Sequence, residues 1–168
     1  MRDALVEATN KPDLDLMFQH VTEDAVVTWQ NAEVTRGHRG LRAYYDRMMT
    51  GPDRIVASLK TTAQTDERTR LYGTDKSSGI AFGSLEQDFT LTDGMTFHLS
   101  SRWTAHVVKD AGKWKVSAFH VSANLFDNPV LHTAVRRTAY WVGGGALAVG
   151  LLLGLAVAWL VRPRRRPA

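Results

Sequence analysis

Arg102 and His120 are the residues of this 168-residue chain whose chemistry and setting first suggest a site. A guanidinium presents a fixed fork of donors to a carboxylate or an oxyanion, and an imidazole gives or takes a proton near neutral pH. A two-residue period puts His120 and Ser122 on one strand face with Trp114, Val116 and Ala118, where a buried face could open into a pocket. On the preceding strand the same period groups Arg102 with His98, Ser100 and Thr104, opposite Phe97, Leu99, Ser101 and Trp103. Asp88 or Asp24 could supply the carboxylate that a half-buried arginine needs. With Trp29 and Tyr45, these residues (His120, Arg102, Ser122) form a candidate ligand pocket. They read either as a set that holds an anionic or carbonyl ligand, or as a core histidine beside a structural ion pair.

Several chemistries lack their residues. A carbon-acid isomerase needs a carboxylate base near the first strand, and Ala25-Val26-Val27-Thr28-Trp29-Gln30 holds none, with Glu33 displaced by several residues. The six histidines, His20, His38, His98, His106, His120 and His132, show no metal-ligand spacing, and we expect no metal and no cofactor. Neither G-x-x-x-x-G-K-[ST] nor G-x-S-x-G occurs. The chain has no cysteine, which removes disulfides, thiolate ligands and cysteine nucleophiles. No catalytic residue is therefore assigned.

The elements that must position the candidate residues follow from periodicity. Arg2 to Asn10 and Leu14 to His20 read as short helices around Lys11-Pro12-Asp13, and Ala25 to Gln30 as a strand. Leu41, Tyr44, Tyr45, Met48 and Met49 recur at helical spacing, which predicts a third helix up to Gly51-Pro52. Strands are predicted over Ile55 to Ala63, Thr69 to Tyr72, Ile80 to Leu91, Met95 to Lys109 and Lys113 to Ser122, separated by turns at Gly73, Gly94 and Gly112. Helices first and an antiparallel meander afterwards imply an α+β domain, with about three helices packed on a curved sheet.

From Ala139 to Val161 the chain carries no charge over 23 residues, about 34 Å as a helix, which suffices to cross a bilayer once. Tyr140, Trp141 and Trp159 stand where aromatic rings prefer the headgroup level. Ala146, Gly150, Gly154 and Ala158 repeat every four residues and give one face a strip of small side chains, a pattern that favours packing against a second membrane helix. Arg136 and Arg137 precede the span and Arg162, Arg164, Arg165 and Arg166 follow it. The positive-inside rule then predicts a cytoplasmic tail and a periplasmic or exoplasmic domain. Met1 opens directly into Arg2 to Asn10 without an apolar leader, so we expect Met1 to be an internal start with a signal sequence upstream. The net charge of +4 resides in the tail, since without those four arginines the 17 acidic residues are matched by 17 basic ones. A neutral domain without a basic stripe is not expected to bind nucleic acid.

Three segments resemble the cone-shaped superfamily of nuclear transport factor 2, ketosteroid isomerase and the SnoaL-like polyketide cyclases. They are Thr22-Glu23-Asp24-Ala25-Val26-Val27, Arg36-Gly37-His38-Arg39-Gly40-Leu41-Arg42-Ala43-Tyr44-Tyr45, and the final hairpin from Ser101-Arg102-Trp103-Thr104 through Lys113-Trp114-Lys115-Val116 to His120-Val121-Ser122. The resemblance implies a curved antiparallel sheet, a pocket between helices and concave sheet for a small ligand, and frequent homodimers through the convex side. The expected organisation is a SnoaL-like domain over residues 1–122, a connector over 123–138, a transmembrane helix over 139–161 and a basic tail over 162–168. The expected role is a membrane-anchored, non-catalytic ligand-binding or interaction domain. An acid-base isomerase or cyclase acting on a small carbonyl compound and a structural dimerisation module are the alternatives.

Overall fold

The computed structural model describes residues 1–124, 126 and 129–161. Helices α1 (Arg2–Asn10) and α2 (Leu14–Gln19) lead into strand β1 (Val21–Thr28), a short β2 (Val34–Arg36) and helix α3 (Gly37–Tyr45). Asp13 caps α2, its Oδ1 accepting from the Leu16 N–H at 2.9 Å, as an aspartate does where helical N–H groups lack partners. The helical spacing read over Leu41 to Met49 continues past Tyr45 as one π-helical turn (Asp46–Thr50). Gly51 ends that turn by donating to the Asp46 carbonyl at 2.7 Å.

Strands β3 (Val56–Thr65), β4 (Arg70–Tyr72), β5 (Ser78–Leu91), β6 (Thr96–Asp110) and β7 (Lys113–Ala123) complete a sheet in the order β2-β1-β7-β6-β5-β3, with β4 on β5. The sheet is curved, with α1, α2 and α3 contributing to the core on its concave side. It is antiparallel apart from one pair, since β1 runs parallel to β7, and β2 was not anticipated from the sequence. The core joins Ala8, Leu14, Met17 and Leu41 of the helices to Val27, Leu85, Trp103, Val107, Val116 and Val121 of the strands.

Two local features shape the concave face. At Gly83 a Cβ would lie 1.8 Å from the Gln64 carbonyl oxygen, so only glycine admits the close approach of β3 where it pairs with β5. In β7, Val116 pairs with Val107 and Ala118 with His106, which leaves Ser117 as an extra residue without an opposite number. A bulge of this kind exchanges the two faces of a strand from that point on.

Helix α4 (Pro129–Val161) spans 33 residues, about 50 Å. It begins inside the stretch expected to be a connector, so the apolar run sits on a longer helix than the span itself. By length and composition this helix can cross a membrane, and Gly150 and Gly154 have open space where a Cβ would stand. The basic tail lies outside the described residues. The chain divides into two units near Pro129.

A chain ending at Thr138 should be soluble and unfold in one cooperative denaturant transition, because the buried clusters belong to the first unit. In that fragment Gly83→Ala should cost at least about 3 kcal/mol through a backbone clash, whereas Gly94→Ala should cost only about 1 to 2 kcal/mol. Gly94 has a φ of +84° but nothing near its Cβ position, so only the conformational penalty applies. Equal losses from chemical denaturation of the two variants would mean that β3 and β5 can move apart.

Candidate functional site

The concave face of the sheet and the helices above it enclose a cavity of about 250 Å³. Its walls are made by Leu5 of α1, Leu41, Tyr44 and Tyr45 of α3, Met48 and Met49 of the π-helical turn, and inward residues of the sheet such as Leu85, Phe89, Trp103 and Phe119. The π-helical turn brings both methionines to the cavity, in keeping with the tendency of such turns to occur at functional sites.

Trp29 and Tyr45, anticipated as pocket residues, both line this cavity. Trp29 follows β1 and stacks on Tyr44 with ring centroids 4.3 Å apart and planes within 4°. The Arg47 guanidinium lies 5.5 Å from the Tyr44 ring centroid and is paired with Glu33. The Trp29 Nε1–H donates to Thr35 Oγ1 at 3.2 Å, so the indole is fixed by a stack on its face and a hydrogen bond at its edge. Burial pushes the Tyr45 hydroxyl up to about 12, against a hydrogen bond with Thr9 that acts the other way. Burial chiefly, and then the Glu33 charge, push the Tyr44 hydroxyl up to about 12 as well. Neither phenol ionises near neutral pH.

His120, Arg102 and Ser122 lie on the opposite face of the sheet, which corrects their expected position. The extra Ser117 turns Phe119 and Val121 toward the cavity and puts His120 and Ser122 outside, both exposed. Arg102 sits opposite Ser122 on that outer face and pairs with Asp66 through its two terminal guanidinium nitrogens. Neither Asp88 nor Asp24 is its partner. Asp88 instead accepts from His98 Nδ1 at 2.7 Å while Glu86 lies 3.0 Å from the other ring nitrogen. These two carboxylates, Asp88 before Glu86, raise the His98 pKa above its ordinary value. The spacing from Val116 to Phe119 to Val121, three residues and then two, is the sequence trace of the bulge that strict alternation overlooks.

Part of the cavity wall is a chain of neutral polar groups that sequence reasoning missed. Gln30 Nε2 donates to Gln87 Oε1 at 2.8 Å, and Gln87 Nε2 donates to Thr61 Oγ1 at 3.3 Å. The Thr61 backbone is held in turn by Asn10, whose Oδ1 accepts from its N–H at 2.6 Å and whose Nδ2 donates to its carbonyl at 3.0 Å. Among the described residues lining the cavity there is no aspartate, glutamate or histidine, and no cluster of three His, Cys, Asp or Glu side chains is placed to hold a metal.

No protein-family model matches the chain, and no curated protein matches it. Solved structures do. A hexachlorocyclohexane dehydrochlorinase, LinA type 3 from Novosphingobium barchaimii, is 14% identical with a TM-score of 0.59, over 73% of this chain and 80% of that one. A ketosteroid isomerase-like protein from Erwinia carotovora atroseptica is 16% identical with a TM-score of 0.58, over 72% and 88%. A nuclear transport factor 2-like superfamily protein from Salmonella enterica is 14% identical with a TM-score of 0.56, over 72% and 84%. At these identities the likeness speaks to architecture, and the globular unit has the nuclear transport factor 2-like, ketosteroid isomerase-like fold.

Proposed function

We propose that this protein is a membrane-tethered binding domain for a small apolar molecule, held in the cavity between the helices and the concave sheet. The observation that carries the proposal is the composition of the cavity wall: mostly aromatic and aliphatic side chains, a few neutral polar groups, one arginine (Arg2) that pairs with Asp3, and no described carboxylate or imidazole. Burying an apolar molecule there is favourable at roughly 25 cal/mol per Å² removed from water. Proton transfer, by contrast, needs a group near the substrate that changes charge near the working pH. The dehydrochlorinase and isomerase-like neighbours make an enzyme the second reading. An acid-base route would call on an imidazole such as His120 and a donor such as Arg102, and both face away from the cavity.

The tether is the apolar helix α4, which is long enough to span a bilayer. Two arginines precede the apolar stretch and four follow it, which supports a cytoplasmic tail with the binding domain on the other side.

The neutral apolar probe N-phenyl-1-naphthylamine should bind the fragment ending at Thr138 with the same affinity from about pH 5 to pH 7, the range in which imidazoles ordinarily titrate. Trp29→Ala should weaken it roughly tenfold, a loss of about 1.4 kcal/mol, whereas His120→Ala and Arg102→Ala should leave it unchanged. Affinity that follows a titration near the histidine range, or that falls with His120→Ala, would favour the acid-base reading.

A further inference from the structure

The proposed binding role leaves the ligand's chemistry open, and the amide chain on the cavity wall narrows it. Resting on that reading, we infer that the cavity takes a neutral, largely apolar molecule bearing one hydrogen-bond acceptor oxygen, such as a ketone, which Gln87 and Thr61 recognise. Gln87 is 5% exposed and Thr61 3%, and both line the cavity. They stand directly opposite one another on β5 and β3. Gln30 joins them from the β1 end of the sheet, across the concave side, and fixes the Gln87 amide by donating to its oxygen.

The donors and acceptors do not balance within this chain of residues. Gln87 has two Nε2–H groups and uses one, on Thr61 Oγ1; the Thr61 hydroxyl thereby accepts and keeps its own proton. The second amide N–H and the hydroxyl proton have no acceptor among the described residues, although each belongs to a nearly buried side chain. Buried donors without acceptors are costly, and an acceptor oxygen on a bound molecule satisfies both. Two other polar side chains of the wall serve less well. The Thr9 hydroxyl is spent on the Leu5 carbonyl at 2.8 Å, and Arg2 pairs with Asp3 with its side chain about half exposed.

Charge sets the second limit. A carboxylate placed beside Gln87 would meet neutral donors, and the one arginine among the described lining residues, Arg2, is already paired with Asp3, so an anion loses more on leaving water than it regains. A hydrocarbon of the same shape fits the apolar wall but leaves the two donors unmatched. Sites built around hydrogen-bonding groups discriminate strongly against analogues that lack the partner.

Three probes of similar outline separate these cases: 2-acetylnaphthalene, its hydrocarbon isostere 2-isopropenylnaphthalene, and 2-naphthoate. Binding to the full chain in lipid nanodiscs is measured by equilibrium dialysis, with uptake by empty nanodiscs subtracted. The ketone should bind at least about tenfold more tightly than either analogue. Gln87→Leu and the near-isosteric Thr61→Val should each remove most of that preference without weakening the hydrocarbon's binding. If Gln87→Leu does not fold, Thr61→Val carries the comparison alone. Equal affinity for ketone and hydrocarbon, or a preference that survives both substitutions, would overturn the amide reading while leaving the binding cavity intact. Naphthoate binding as tightly as the ketone would overturn the restriction to neutral ligands. Failure of both neutral probes to bind would overturn the cavity's binding role and this inference together.

Discussion

One extra residue in the last strand governs what this domain can do. Ser117 has no opposite number on β6, and every side chain after it points to the face that simple alternation would deny it. Phe119 and Val121 thereby complete the apolar wall, while His120 and Ser122 pass to the outer surface. The bulge is held locally: Ser117 Oγ lies 2.7 Å from His106 Nδ1 and 3.3 Å from the His106 carbonyl oxygen, so its polar side chain is satisfied on the outer face. Pairing Ser117 as an ordinary ladder residue would turn the imidazole inward and two apolar side chains out, at a cost in buried area that makes the bulged register the stable one.

The two faces of the sheet consequently differ in kind. The outer face carries ion pairs such as Arg102 with Asp66 and His98 between Asp88 and Glu86. These side chains are exposed, so such pairs contribute little to stability. The inner face carries the aromatic residues and the neutral amide chain, where each hydrogen bond is shielded from water and each unmatched donor is costly. Stability comes from the helices closing over that inner face, with Tyr45 and Leu41 buried completely or nearly so. The Asn10 side chain ties the end of α1 to β3 at Thr61, so the polar cluster on the cavity wall is anchored to the helical roof as well as to the sheet.

Much of the architecture was legible from residue pattern because the elements are strongly periodic. The meander of β5, β6 and β7, the first two helices and the apolar span of α4 all show in the order of apolar and turn residues. Arg102 and its strand neighbours were grouped on the correct common face, since β6 alternates without interruption over Leu99 to Val107. Which face that was could not be read, because the assignment depended on β7 and β7 contains the bulge. Strand β2 escaped notice because three residues carry too little periodicity, and the π-helical turn because it keeps nearly the spacing of an α-helix. The Gln30, Gln87 and Thr61 chain was invisible for a different reason. Its members come from distant parts of the sequence and meet only when the sheet curls.

The central claim is that the cavity face of β7 is Phe119 and Val121, not His120 and Ser122, and the absence of cysteine from the chain permits a direct measurement. Phe119→Cys, His120→Cys, Val121→Cys and Ser122→Cys, made singly, would be treated with a bulky, membrane-impermeant maleimide and the labelling rates compared with those in denaturant. The structure predicts rapid labelling at positions 120 and 122 and strong protection at 119 and 121. Protection at 120 and 122 with rapid labelling at 119 and 121 would contradict the register, return the imidazole to the cavity and reopen the case for acid-base chemistry.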